Sequence, residues 1–100
     1  MERFGRKDRR IKVKVGKKFA LELEAMGTAG YTWRVTRLPS HLALRGESIR
    51  PVSPAVGASS RQELVFEVLG PGSEPLVLTY GQPWESKGEE TAEIAVEASE

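Results

Sequence analysis

Few side chains in this chain of 100 residues could perform covalent or metal chemistry. There is no Cys, and the one His is His41. Thiolate nucleophiles, disulfides and thiolate metal sites are excluded, and so is a cluster of imidazole ligands. Ser59 and Ser60 have only His41 as a conceivable base, and it stands beside apolar Leu42 rather than in a nucleophile–base pattern. The Glu residues fall at alternating, solvent-facing positions, and no acid–base pair can be singled out among them. Gly27-Thr28-Ala29-Gly30 lacks the Gly-Lys-Ser/Thr of a phosphate loop. Glu89, Glu90 and Glu93 lack the register of a calcium loop. No cofactor and no metal are expected. What stands out is a residue suited to contact. Trp84 lies in Gln82-Pro83-Trp84-Glu85, where Pro83 has no amide to give a strand ladder. The segment is therefore a loop, and Trp84 either covers one end of the fold or anchors a partner. Tryptophan is enriched at interface hot spots, and a neighbouring proline lowers the cost of ordering it. The chain is expected to bind rather than to catalyse.

The elements that must position this loop announce themselves by a period of two. Ile11, Val13 and Val15 alternate with Lys12 and Lys14, and Phe19, Leu21 and Leu23 with Ala20, Glu22 and Glu24. Tyr31, Trp33 and Val35 form a third apolar row, and Leu64, Phe66 and Val68 a fourth. Residues 76–80 are mostly apolar, which suits a central strand, and Ala92, Ile94 and Val96 point inward near the end. Residues 38–56 are expected to be irregular, with one short strand near Ile49, because Pro39, Pro51 and Pro54 interrupt them. No window carries a 3.6-residue period. Six or seven short strands separated by glycine and proline turns predict two packed antiparallel sheets in one domain, residues 1–100. A small barrel is the alternative. The sandwich is favoured because Phe19, Trp33 and Phe66 sit on separate strands that two facing sheets could interdigitate.

Charge is segregated along the chain although the net charge is only +1. Residues 1–18 hold nine Lys or Arg against Glu2 and Asp8, and residues 85–100 hold six Glu against Lys87. The simplest arrangement makes the two terminal segments neighbouring strands, whose opposite charges attract. Nucleic acid is not expected as a partner. The basic segment lacks interleaved aromatics, and the Glu cluster would repel phosphate. Asn is absent, Asp occurs once and Gln twice, a depletion of thermolabile residues typical of thermophile proteins. No apolar run reaches the length of a membrane span, and no membrane partner is expected. No signal sequence is visible, so the expected location is cytoplasmic if the chain is whole and secreted or periplasmic if a leader was removed. Lys12 and Lys14 on the 11–15 strand discourage edge pairing, and a monomer is expected when the protein is free.

Three loops then fall into a pattern. Met26-Gly27-Thr28-Ala29-Gly30-Tyr31 is followed by Trp33. Gly57-Ala58-Ser59-Ser60 forms a second small-residue loop. Leu78-Thr79-Tyr80 and Gly81 lead into Gln82-Pro83-Trp84. In order and separation these segments resemble the three motifs of the chagasin-type protein inhibitors of papain-like cysteine proteases. Those motifs are Asn-Pro-Thr-Thr-Gly-Tyr/Phe with Trp two residues on, Gly-x-Gly-Gly, and Arg-Pro-Trp after a Leu-Thr-Tyr strand end. The resemblance covers roughly residues 11–98. It departs at Met26-Gly27 for Asn-Pro, Ala29 for the second Thr, Ser59 and Ser60 for two glycines, and Gln82 for Arg.

The resemblance implies an immunoglobulin-like antiparallel β-sandwich of six to eight short strands. It also implies a reversible, non-covalent inhibitor, not an enzyme, whose three loops enter the cleft of a papain-like cysteine protease. The implied contact residues are Met26, Gly27, Thr28, Ala29, Gly30, Gly57, Ala58, Ser59, Ser60, Gln82, Pro83 and Trp84. Thr28 would offer its hydroxyl to the protease's catalytic His, and Trp84 would pack beside the active site. A sandwich module that binds another protein without inhibiting it is the rival expectation.

Overall fold

The computed structural model describes residues 1–26, 29–52, 59–85, 88 and 90–100. Its eight strands are β1 (Glu2–Gly5), β2 (Arg10–Lys14), β3 (Lys18–Ala25), β4 (Thr32–Arg37), β5 (Leu42–Pro51), β6 (Ser60–Val68), β7 (Pro75–Gly81) and β8 (Glu90–Ser99). They form two four-stranded sheets, ordered β1-β3-β6-β5 and β2-β8-β7-β4. The inward rows close as alternation requires. Ile11, Val13, Phe19, Leu21, Leu23, Trp33, Leu64, Phe66, Val68, Leu76, Leu78, Ile94 and Val96 share one buried cluster drawn from both sheets. Phe19 and Phe66 are cross-strand partners in the same sheet, stacked at 5.4 Å, and Trp33 faces them from the other sheet.

Three features depart from the expectations. Residues 42–51 are one long strand rather than an irregular stretch. A register shift between Leu44 and Gly46 breaks the alternation that would have revealed it. Its terminal Pro51 is tolerated because β5 is an edge strand. The basic amino terminus adds the short strand β1, which pairs in parallel with β3 and packs Phe4 edge-on against Phe19 at 5.9 Å. The terminal segments are indeed neighbours, but β2 pairs with β8 in parallel, placing Lys12 opposite Glu97. Both edge strands on this side are thus joined to the sheets in parallel, while all other pairs are antiparallel.

Candidate functional site: three loops at one end

Strand register brings the three loops together. β3 ends at Ala25 opposite Ser60, the first residue of β6, and β5 ends at Pro51 opposite the same Ser60. In the facing sheet β4 begins at Thr32 opposite Gly81, the end of β7, and β8 begins at Glu90 opposite Tyr80. Loop 1 (residues 26–31), loop 2 (52–59) and loop 3 (82–89) therefore leave the same end of the sandwich. Loop 1 crosses from one sheet to the other.

That end is braced by polar bonds between the sheets. Gln62 is fully buried on β6, in phase with the apolar row of Leu64, Phe66 and Val68. Its Oε1 accepts from the Trp33 amide at 2.7 Å, and its Nε2 donates to the Trp33 carbonyl at 2.6 Å. One side chain thereby does what a neighbouring strand would do for the edge of β4. The Trp33 indole Nε1 donates to the Glu24 carbonyl at 3.0 Å, and the Met26 amide donates to the Tyr80 hydroxyl at 3.1 Å. Tyr80 stands between Tyr31, at 5.7 Å, and Trp33, at 5.1 Å. This aromatic stack underlies loops 1 and 3.

Loop 1 is tight. The Met26 carbonyl accepts from the amides of Ala29 and Tyr31, each at 3.0 Å. Gly30 has φ 82°, the left-handed conformation that glycine adopts without cost. Ala29 is exposed. Gly27 and Thr28 lie outside the described residues. Loop 3 opens with a four-residue turn in which the Glu85 amide donates to the Gln82 carbonyl at 3.0 Å. Pro83 takes the second position, where its fixed φ is favourable. The Glu85 carboxylate returns to accept from the Gln82 amide at 2.8 Å. Trp84, third in the turn, is 72% exposed and so does not cover the core. Further on, a side chain at Gly88 would come within 2.8 Å of the Tyr80 carbonyl, so only glycine lets the chain pass β7 this closely.

Loops 1 and 3 touch. The Gln82 Nε2 donates to the Ala29 carbonyl at 3.0 Å. The Trp84 ring lies so close over Gly30 that a methyl group there would sit 3.3 Å from Cη2. Gln82 thus spends its amide on fixing one loop to the other. Loop 2 continues the β5–β6 ladder by one bond, from the Val52 amide to the Ser59 carbonyl at 3.0 Å. Val52 is exposed and Ser59 half-buried. Ser60 is 3% exposed and is the first residue of β6 rather than part of the loop. Gly57 and Ala58 lie outside the described residues.

Among the described residues this end presents one large exposed aromatic, Trp84, and no nucleophile–base pair. His41 lies in the turn before β5, buried, with Nε2 2.9 Å from the Val96 carbonyl. Among the described residues no group of three His, Asp or Glu could hold a metal ion.

Residues 12–97 match the sequence pattern of the chagasin family of peptidase inhibitors, I42. The chain belongs to that family. The fold agrees. The cysteine protease inhibitor EhICP2 from Entamoeba histolytica superposes with a TM-score of 0.83 at 18% identity, over 98% of this chain and 95% of its own. Amebosin gives 0.79 at 17% identity, over 98% and 97%. PbICP-C, solved in complex with falcipain-2, gives 0.65 at 19% identity, over 98% and 88%. No curated protein sequence matches the chain. The supporting residues Gln62, Tyr80 and Gly88 escaped sequence reasoning. Gln62 carried a signal in its place in an inward row, and Tyr80 in the Leu78-Thr79-Tyr80 strand end.

Proposed function

We propose that this protein is a reversible, non-covalent inhibitor of papain-like cysteine proteases, which lodges loops 1, 2 and 3 in the active-site cleft. The observation that carries this reading is the rigid pairing of loops 1 and 3, with Trp84 72% exposed at its tip. A tryptophan held on a proline turn loses little freedom on binding and offers a large contact area. Loop 1 is slim enough to bring its backbone close to a catalytic Cys and His. Met26 adds adaptable apolar contact there, and the Thr28 hydroxyl bonds to the protease His. Ser59, Gly57 and Ala58 of loop 2 meet the rim of the cleft, and Pro83 flanks Trp84. Gln82 acts by holding Ala29 rather than by touching the protease. The chain brings no Cys, and no scissile bond need be presented productively, so the block is steric.

Papain alkylated at its catalytic thiol with a group that fills the cleft provides the test. Native papain should bind the protein in titration calorimetry, and alkylated papain should not. Intact mass of the native complex after denaturation should return both chains unmodified. Equal binding to both forms of papain, or a covalent adduct, would overturn the proposal.

A further inference from the structure

A fourth connection starts near the loop-bearing end, at Arg6 beside Glu90, and descends to Arg9, beside Ala95 in the middle of β8. β1 runs parallel to β3 and stops at Gly5 opposite Glu22, short of the end of β3 at Ala25. The turn after Gly5 rises into that remaining height. There the Arg6 guanidinium meets Glu90, the first residue of β8, at 2.7 Å, and lies 5.7 Å from the centre of the Trp33 ring. The turn is braced at both ends. The Asp8 amide donates to the Gly5 carbonyl at 3.0 Å, the Gly5 amide donates to Asp8 Oδ2 at 2.8 Å, and the Arg9 carbonyl accepts from the Ala95 amide at 2.8 Å.

Lys7 and Arg9 stand on this fixed frame, both exposed. Their neighbours are neutralised. Arg6 pairs with Glu90, Arg10 with Glu97, and Arg3 with Glu22 and Glu63. The hydrogen bonds to Glu63 and then Glu22 raise the Arg3 pKa further above its ordinary value. Among the described residues no carboxylate pairs with Lys7 or Arg9. From the turn to loop 2 runs a groove of about 460 Å³, lined by Gly5, Asp8, Glu22, Glu24, Val52 and Arg61 among others. The turn is therefore continuous with the surface that carries loop 2.

We infer that the β1–β2 turn is a fourth contact zone, which meets an acidic segment on the rim of the target protease's cleft and so selects among proteases by charge. This rests on the three-loop reading above. Two cations without an ion-pair partner among the described residues attract carboxylates over roughly one Debye length, about 10 Å at moderate salt. Rim charges of this kind change how fast a complex forms and how steeply salt slows it, more than how long it lasts.

The experiment compares the parent, the charge-reversed double variant Lys7→Glu/Arg9→Glu and Trp84→Ala. Association rates are measured against a panel of papain-like proteases whose cleft rims range from acidic to basic. The double variant should keep the parent's melting temperature, since neither residue has an ion-pair partner among the described residues. With acid-rimmed proteases its association should slow by about tenfold at low ionic strength, the gap closing as salt is added. With base-rimmed proteases it should associate faster than the parent. Trp84→Ala should weaken every complex regardless of rim charge. If the double variant associates with acid-rimmed proteases as fast as an active parent at low salt, the fourth zone is refuted and the three-loop reading stands. If the parent inhibits no member of the panel, the three-loop reading fails and this inference fails with it.

Discussion

Trp84 concentrates the binding account in one side chain. Truncating it to Ala should cost at least about 2 kcal/mol of affinity for papain, roughly thirtyfold. The melting temperature should stay nearly unchanged, because 72% of the residue already faces solvent. A Trp buried in the core would instead cost about 3–5 kcal/mol of stability on truncation. Measuring inhibition and thermal unfolding on one variant separates the two cases, and a large fall in stability with inhibition intact would remove Trp84 from the interface. Its loop position was legible in the sequence, because Pro83 bars a strand there. What Gln82 does was not. Its bond to the Ala29 carbonyl joins loops 53 residues apart, and no local pattern encodes which distant carbonyl an amide will find. The same holds for Gly88, which looks like any loop glycine until β7 lies against it. Ser60 belonged to a small-residue run that suggested loop, yet the β6 ladder begins there because Ala25 and Pro51 both pair with it.

The strands that hold these residues were legible wherever one face is buried and the other wet. β6 and β8 alternate cleanly and burial follows the alternation, as it does in β3 except at Ala20, which is buried. β5 was not legible, because its register shift after Leu44 turns Glu47 to the side that Leu44 faced, opposite Leu64. β1 is only four residues long, too short for a period to show. The most consequential element-level device is the Gln62 clasp between β6 and β4. Gln62→Leu would keep an apolar row but strand the amide and carbonyl of Trp33. Each buried group left without a partner costs about 1–3 kcal/mol. Urea unfolding should therefore show a loss of about 2–5 kcal/mol, far more than an exposed Gln would give. Because Trp33 also carries the aromatic stack under loops 1 and 3, the folded fraction of this variant should inhibit less well. Unchanged stability would mean that water replaces the clasp and that the end is less rigid than argued.

At the scale of the whole molecule, one buried cluster draws on both sheets. We expect residues 1–100 to unfold as a single cooperative unit, with tryptophan fluorescence and far-ultraviolet circular dichroism giving coincident transitions. Two separated transitions would show that the sheets melt independently. The segregated charge along the chain has a geometric outcome. The basic amino terminus lies beside the acidic β8, and among the described residues the two segments are tied at Arg6–Glu90 and Arg10–Glu97. Such exposed pairs contribute about 0–1 kcal/mol each, so they set register and surface charge more than stability. The fold serves to carry three loops to one end and to hold two of them against each other. The most direct measurement of that claim is a titration of papain, its active sites counted beforehand, with the folded protein. Activity should fall linearly to zero near one inhibitor per active site, and the inhibition should weaken as competing substrate is raised. Full papain activity in a large excess of protein with an intact melting transition would contradict the account.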